Sequence, residues 1–154
     1  MDQVEQITAI AEAYFDGAHA SPRWDHTQRV YRLCEKIGEQ EGADLDVVRP
    51  AALLHDIARS REDQQNGKIC PAREGARMAK AILEEFPLES VKIEQIVHCI
   101  EAHRFRNELK PKSLEARVLF DADKLDSVGA VGIARAYLFS GEVGARLHNQ
   151  HPNP

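Results

Sequence analysis

Apolar side chains in this chain recur at intervals of three and four residues, the spacing that lays them along one face of an α-helix. No stretch shows the strict alternation of a half-buried strand. Residues 4–18 place Val4, Ile7, Ala11, Tyr14 and Ala18 on one stripe. Ser21 followed by Pro22 reads as a cap and a first helical position. The helix they open carries Val30, Leu33, Cys34 and Ile37 on one face and ends near Gly42. Asp46 is the next candidate cap, opening a helix over 47–58 with Pro50 near its first turn, where a missing N–H costs little. Further helices are expected over 73–86, 90–103, 113–125 and 128–139, punctuated by Pro87 and Pro111. Residues 59–73 form the longest polar stretch, a connection long enough to serve as a lid or binding loop. The pattern predicts an all-α bundle of six or seven helices.

Length adds that 154 residues make one domain, expected over 1–154, large enough to bury a core without a disulfide or structural metal. The cysteines agree: Cys34, Cys70 and Cys99 are odd in number and widely spaced, and read as small core residues. The net charge of −5 disfavours a nucleic-acid polymer as partner. No run of ~18 apolar residues offers a membrane span, and the acidic start lacks a signal peptide's basic region, so a cytoplasmic location is expected. Residues 59–112 hold eleven Lys and Arg against nine Asp and Glu, a local excess that would steer an anion toward the middle of the chain.

Polar residues stand where the core should be. Ala51, Ala52, Leu53, Leu54, Ile57 and Ala58 surround a helix axis, as in a helix from the middle of a bundle, yet His55 and Asp56 sit among them. An unpaired carboxylate there would be costly, so something must compensate it. His26 precedes Val30, Leu33 and Cys34 at helical spacing and shares their buried stripe. Asp123 lies three and four residues past Phe120 and Leu119, inside an apolar stretch that Asp121 and Asp126 also interrupt. Taken singly, each is also met by a hydrogen-bonded core histidine, a helix cap or a salt bridge. Together His26, His55, Asp56 and Asp123 offer two imidazoles and two carboxylates that one divalent cation would satisfy. The set suits Mn, Fe, Co, Ni or Zn and lacks the thiolates of a closed structural zinc site.

The segments WDHTQRV (24–30), LLHDIA (53–58) and DADKLDSVGAVGIAR (121–135) resemble the successive motifs of the HD-domain metal-dependent phosphohydrolase superfamily, whose signature is H…HD…D on an all-α bundle. The likeness runs over about residues 15–147 and is nearest to the small stand-alone HD hydrolases, some of which are nucleotide pyrophosphohydrolases. It implies His26, His55, Asp56 and Asp123 as ligands of one divalent metal, with Mn²⁺ favoured and Mg²⁺ added to the metals above. Asp121 and Asp126 then orient imidazoles or bind substrate. Binuclear relatives place further histidines after the lid, where this chain reads CPARE (70–74). His98 and His103 are five residues apart, a poor spacing for one helix face, so a single metal is expected.

The implied reaction is hydrolysis of a phosphate anhydride or ester in a small phosphorylated substrate, a nucleotide, by metal-activated water. Asp56 is the expected proton acceptor. Lys124, Arg59 and His103 are the expected phosphate contacts, and Glu62 and Asp63 could act from the lid. Two rivals remain open: an iron oxygenase of the same fold, and a metal- or nucleotide-binding module without catalysis.

Overall fold

The computed structural model describes residues 2–15, 21–59, 70–104 and 109–146. Seven helices and no strand occur among them, as the hydrophobic spacing predicts. They are α1 (Gln3–Ala13), α2 (Ser21–Glu41), α3 (Leu45–Leu54), α4 (Pro71–Leu83), α5 (Ser90–Ala102), α6 (Leu114–Leu125) and α7 (Gly129–Glu142).

Several boundaries follow from local chemistry. Asp2 and Glu5 form a reciprocal capping box that starts α1, each side chain accepting from the other's backbone N–H. Ser21, the expected cap of α2, is itself helical. α2 ends where Gly42 turns to φ +74°, a left-handed conformation that glycine adopts without a Cβ penalty. The cap of α3 is Asp44, not Asp46: the Asp44 carboxylate accepts from the Asp46 N–H, and Asp46 pairs instead with Lys92. Pro50 lies in the helix interior, sixth from the start, and the carbonyl it leaves without a partner belongs to exposed Asp46. α4 begins two residues before the expected position, with Pro71 at its start, so the polar connection is shorter than 59–73. Residues 60–69 of that connection, including Glu62 and Asp63, lie outside the described residues.

α3 is the middle of the bundle. It packs on α1, α2, α5 and α6, while α2 and α5 also pack on α6 and α4 covers α5. Val47, Val48 and every residue from Pro50 to Leu54 are buried. The helix expected over 47–58 stops at Leu54, however, and 55–58 form a turn. Its bonds shorten to three-residue spacing, from Ile57 N to Leu54 O and from Arg59 N to Asp56 O. His55 and Asp56 therefore leave the helix end together. Gly75 lets α4 close on this turn: a Cβ there would stand 3.4 Å from the His55 carbonyl and 3.7 Å from the Ala58 methyl. Cys34 and Cys99 are buried in the core, and Cys70 caps α4 half-buried.

Candidate metal centre

Three histidines from three elements converge beside α3. His26 comes from the second turn of α2, His55 is the first residue beyond α3, and His103 the first beyond α5. All are buried. His55 Nδ1 donates to the Ala52 carbonyl at 2.7 Å, and His103 Nδ1 to the Ile100 carbonyl at 2.5 Å. Both use a carbonyl of the last helical turn, which has no backbone partner further along. A carbonyl only accepts, so Nδ1 carries the proton in each ring and Nε2 presents a lone pair. The His26 ring is held the same way, its Nδ1 2.6 Å from the Asp126 carboxylate.

The Nε2 atoms of His26 and His55 thus face each other across 3.5 Å. Asp123, in the last turn of α6, brings Oδ1 to 3.2 Å from His26 Nε2. Asp56 Oδ2 stands 3.9 Å from the Nε2 of both His26 and His55, and its Oδ1 is 3.7 Å from His103 Nε2. This is a cluster of acceptors. A proton on His26 Nε2 could answer Asp123 but would leave the His55 lone pair without a donor; one divalent cation answers the cluster together. His26, His55 and Asp123 each offer a ligand atom within 4.8 Å of the others. The donors are nitrogen and oxygen with no thiolate, so the residues present fit a divalent cation.

Electrostatics agree with that role. Burial pushes the His55 imidazole down to about 4, with His103 and His26 adding to the shift, so the ring stays neutral. Burial opposes ionisation of Asp56, but His55, His103 and Arg59 outweigh it and hold the carboxyl well below its ordinary value. Asp123 is likewise pushed up by burial and pulled further down by His26, His55 and Lys124. Two anionic carboxylates and a neutral imidazole are the states in which these groups bind metals.

The other predicted residues divide. Lys124 Nζ donates to Asp123 Oδ2 at 2.7 Å and to the His103 carbonyl at 2.6 Å, and lies 4.4 Å from the Phe120 ring centre. Its charge ties α6 to the end of α5. Asp126 reaches the cluster through His26, whereas Asp121 is exposed and makes no hydrogen bond or ion pair to the three imidazoles. Arg59 is half-buried next to the dyad. His98 is occupied elsewhere, its Nε2 accepting from the Lys112 backbone. Sequence reasoning missed Arg29 and Arg135, which both bind Asp126. Both lie in the motif segments 24–30 and 121–135, and Arg29 also stands one helical turn past His26.

Comparison with known proteins gives the same picture. The family model described as HD domain matches residues 23–128. The chain belongs to the HD-domain family. The YpgQ protein of Bacillus subtilis is 33% identical over 152 residues, which cover 96% of this chain and 71% of that protein. Its crystal structure superposes with a TM-score of 0.76 at 34% identity, over 96% of this chain and 72% of that one, and a further YpgQ structure is a complex with ADP. A predicted HD-superfamily hydrolase from an uncultured Thermotogales bacterium gives a TM-score of 0.76 at 32% identity, over 88% and 74% of the two chains. Ribonuclease Y of Borreliella burgdorferi is 30% identical over 121 residues, 79% of this chain but 22% of the ribonuclease. The domain has the fold of HD-superfamily hydrolases, and no helix among its described residues is long and apolar enough to cross a membrane.

Proposed function

We propose that this protein is a metal-dependent phosphohydrolase acting on a small phosphorylated substrate, a nucleotide. The observation that carries the reading is the meeting of two Nε2 lone pairs at 3.5 Å beside two carboxylates, an arrangement that calls for a divalent cation. His26, His55, Asp56 and Asp123 would hold that ion. The resemblance favours Mn²⁺, and a mixed nitrogen and oxygen set also admits Fe, Co, Ni, Zn and Mg. When bound, such an ion polarises a phosphoryl oxygen and lowers the pKa of water beside it.

The chain's own residues do the rest. Asp56 turns Oδ2 toward His26 and His55 and Oδ1 toward His103. With Oδ2 turned to the ligand set, Oδ1 is the atom placed to take a proton from the attacking water. His103, with Nδ1 committed to Ile100, offers its Nε2 lone pair to the same proton, and with that proton on it can donate to a phosphoryl oxygen. Lys124 offsets the Asp123 charge and adds a cation beside the phosphate position, and Arg59 supplies another near Asp56. The ADP complex of YpgQ supports a nucleotide as the substrate class. The net charge of −5 weighs against the RNA polymer suggested by the ribonuclease relatives.

The test is direct. Purified protein is offered nucleoside mono-, di- and triphosphates, and a short RNA, with Mn²⁺, Co²⁺ or Mg²⁺, and released orthophosphate and pyrophosphate are identified. Phosphate release from a nucleotide, lost with Asp56→Asn, supports the reading. Metal bound at one ion per chain with no phosphate released from any nucleotide would reject it in favour of a binding module. Two irons per chain would favour oxygen chemistry.

A further inference from the structure

Asp126 is the most heavily engaged buried carboxylate of the described residues, and the hydrolytic reading gives it little to do beyond touching His26. Its side chain is 3% exposed and takes four donors besides a backbone contact. His26 Nδ1 meets Oδ2 at 2.6 Å; Arg29 reaches Oδ1 through Nε at 2.6 Å and Oδ2 through its terminal nitrogen at 3.1 Å; and Arg135 Nη1 reaches Oδ2 at 2.6 Å. Arg135 also approaches the Asp126 carbonyl at 3.4 Å. Two guanidinium groups on one carboxylate exceed what neutralisation requires. A two-point bond from Arg29 fixes the plane of the carboxylate, and the second cation, Arg135, fixes its rotation.

We infer that Arg29 and Arg135 are positioning residues of the metal centre: by locking Asp126 they set the rotation and tautomer of His26, so that its Nε2 lone pair faces His55 and Asp123. The inference rests on His26 being a metal ligand, as proposed above. Arg29 is placed by its own helix, one turn beyond His26 on α2. Arg135 needs a special path, because it belongs to α7, a helix with no buried residue. The chain turns back at Gly129, whose φ is +68°, and the start of α7 passes so close to Ser127 that a Cβ on Gly132 would overlap the Ser127 carbonyl. The two glycines of the 127–135 segment thus exist to return Arg135 to Asp126. α7 is fastened to the site by charge, not by packing.

The experiment uses the full chain and two readouts. Mn²⁺ and Zn²⁺ affinities are measured by titration well below the melting temperature, and the His26 side-chain ¹⁵N and Nδ1–H signals are recorded with and without Zn²⁺. Arg29→Ala, Arg135→Ala and Gly132→Ala are each expected to weaken metal binding about 10–100-fold and to shift or broaden the His26 Nδ1–H signal. For Arg135→Ala and Gly132→Ala the melting temperature should stay near wild type, since α7 buries nothing. Arg29→Lys and Arg135→Lys, which keep one donor, should recover part of the affinity. The inference is overturned if both alanine variants of the arginines bind metal within about twofold of wild type, or if metal binding weakens while the His26 signal does not move. Should wild type bind no metal, the functional reading fails, and the His26 signal in the metal-free protein still decides the positioning role.

Discussion

α3 and α7 are both apolar helices and both send residues to the candidate metal centre, α3 from its end and α7 from its middle, yet they are built into the protein in opposite ways. α3 is surrounded by four helices and buries seven of its ten residues. α7 buries none: Ile133, Tyr137, Leu138 and Phe139 are each about 60% exposed. α3 delivers His55 and Asp56 by packing, because their backbone can move only if the core moves. α7 delivers Arg135 by a salt bridge at the end of a glycine-shaped turn. Composition alone does not distinguish the helices; their neighbours do. A side chain positioned by the core should be hard to displace and expensive to lose, and one positioned by a charge should be separable from stability.

Substitutions can break that contrast. Asp56→Asn keeps the shape of the turn but removes the charge and the proton acceptor, and should lower turnover by about 10³-fold while leaving the fold intact, read by steady-state rates beside circular dichroism. Leu54→Ala, at the end of α3, should cost about 2–5 kcal/mol in urea unfolding, because the site is fully buried and lined on every side. Acid should act through the α3 side as well. His55 takes its proton near 4 in the folded protein and near 6.5 in the unfolded chain. Between those values only the unfolded chain binds the proton. Stability of the metal-free protein should therefore fall as pH drops from about 6.5 to 4, by up to about 3 kcal/mol, and His55→Gln should flatten that slope. The smallest effect belongs to α7: Leu138→Ser or Phe139→Ser should change unfolding free energy by no more than about 0.5 kcal/mol. A loss of 2 kcal/mol or more there would show that α7 is held by packing after all, and would erase the contrast with α3.

Much of the bundle was readable from periodicity. The stripe of His26, Val30 and Cys34 is buried on α2 as the four-residue spacing requires, and the apolar surround of 51–54 does place α3 among other helices. The misplaced boundaries have local causes. Asp44 and Asp46 are both good caps by residue type, and Lys92 of α5 pairs with both, so residue type alone could not choose Asp44. The end of α3 at Leu54 depends on His55 bonding back to Ala52, an interaction with no period to betray it. His98 and His103 looked equivalent by type, and helical spacing set them apart without saying which would face inward. The turn after α5 takes His103 off the helix and places its Nε2 3.7 Å from Asp56. Lys124 stands out in the sequence as a cation in an apolar stretch, and the fold adds its bonds to Asp123 and to the His103 carbonyl.

Residue order was enough to establish the helices, the buried stripes and the presence of carboxylates and imidazoles where apolar groups belong, because burial and helical period act over a few neighbouring positions. Distances between residues 26, 55, 103 and 123 had to come from packing, since contacts across up to a hundred residues leave no local trace. So did the fate of each charge. What an arginine or lysine can brace depends on which carboxylate the fold brings within reach: Asp126 for Arg29 and Arg135, and Asp123 for Lys124.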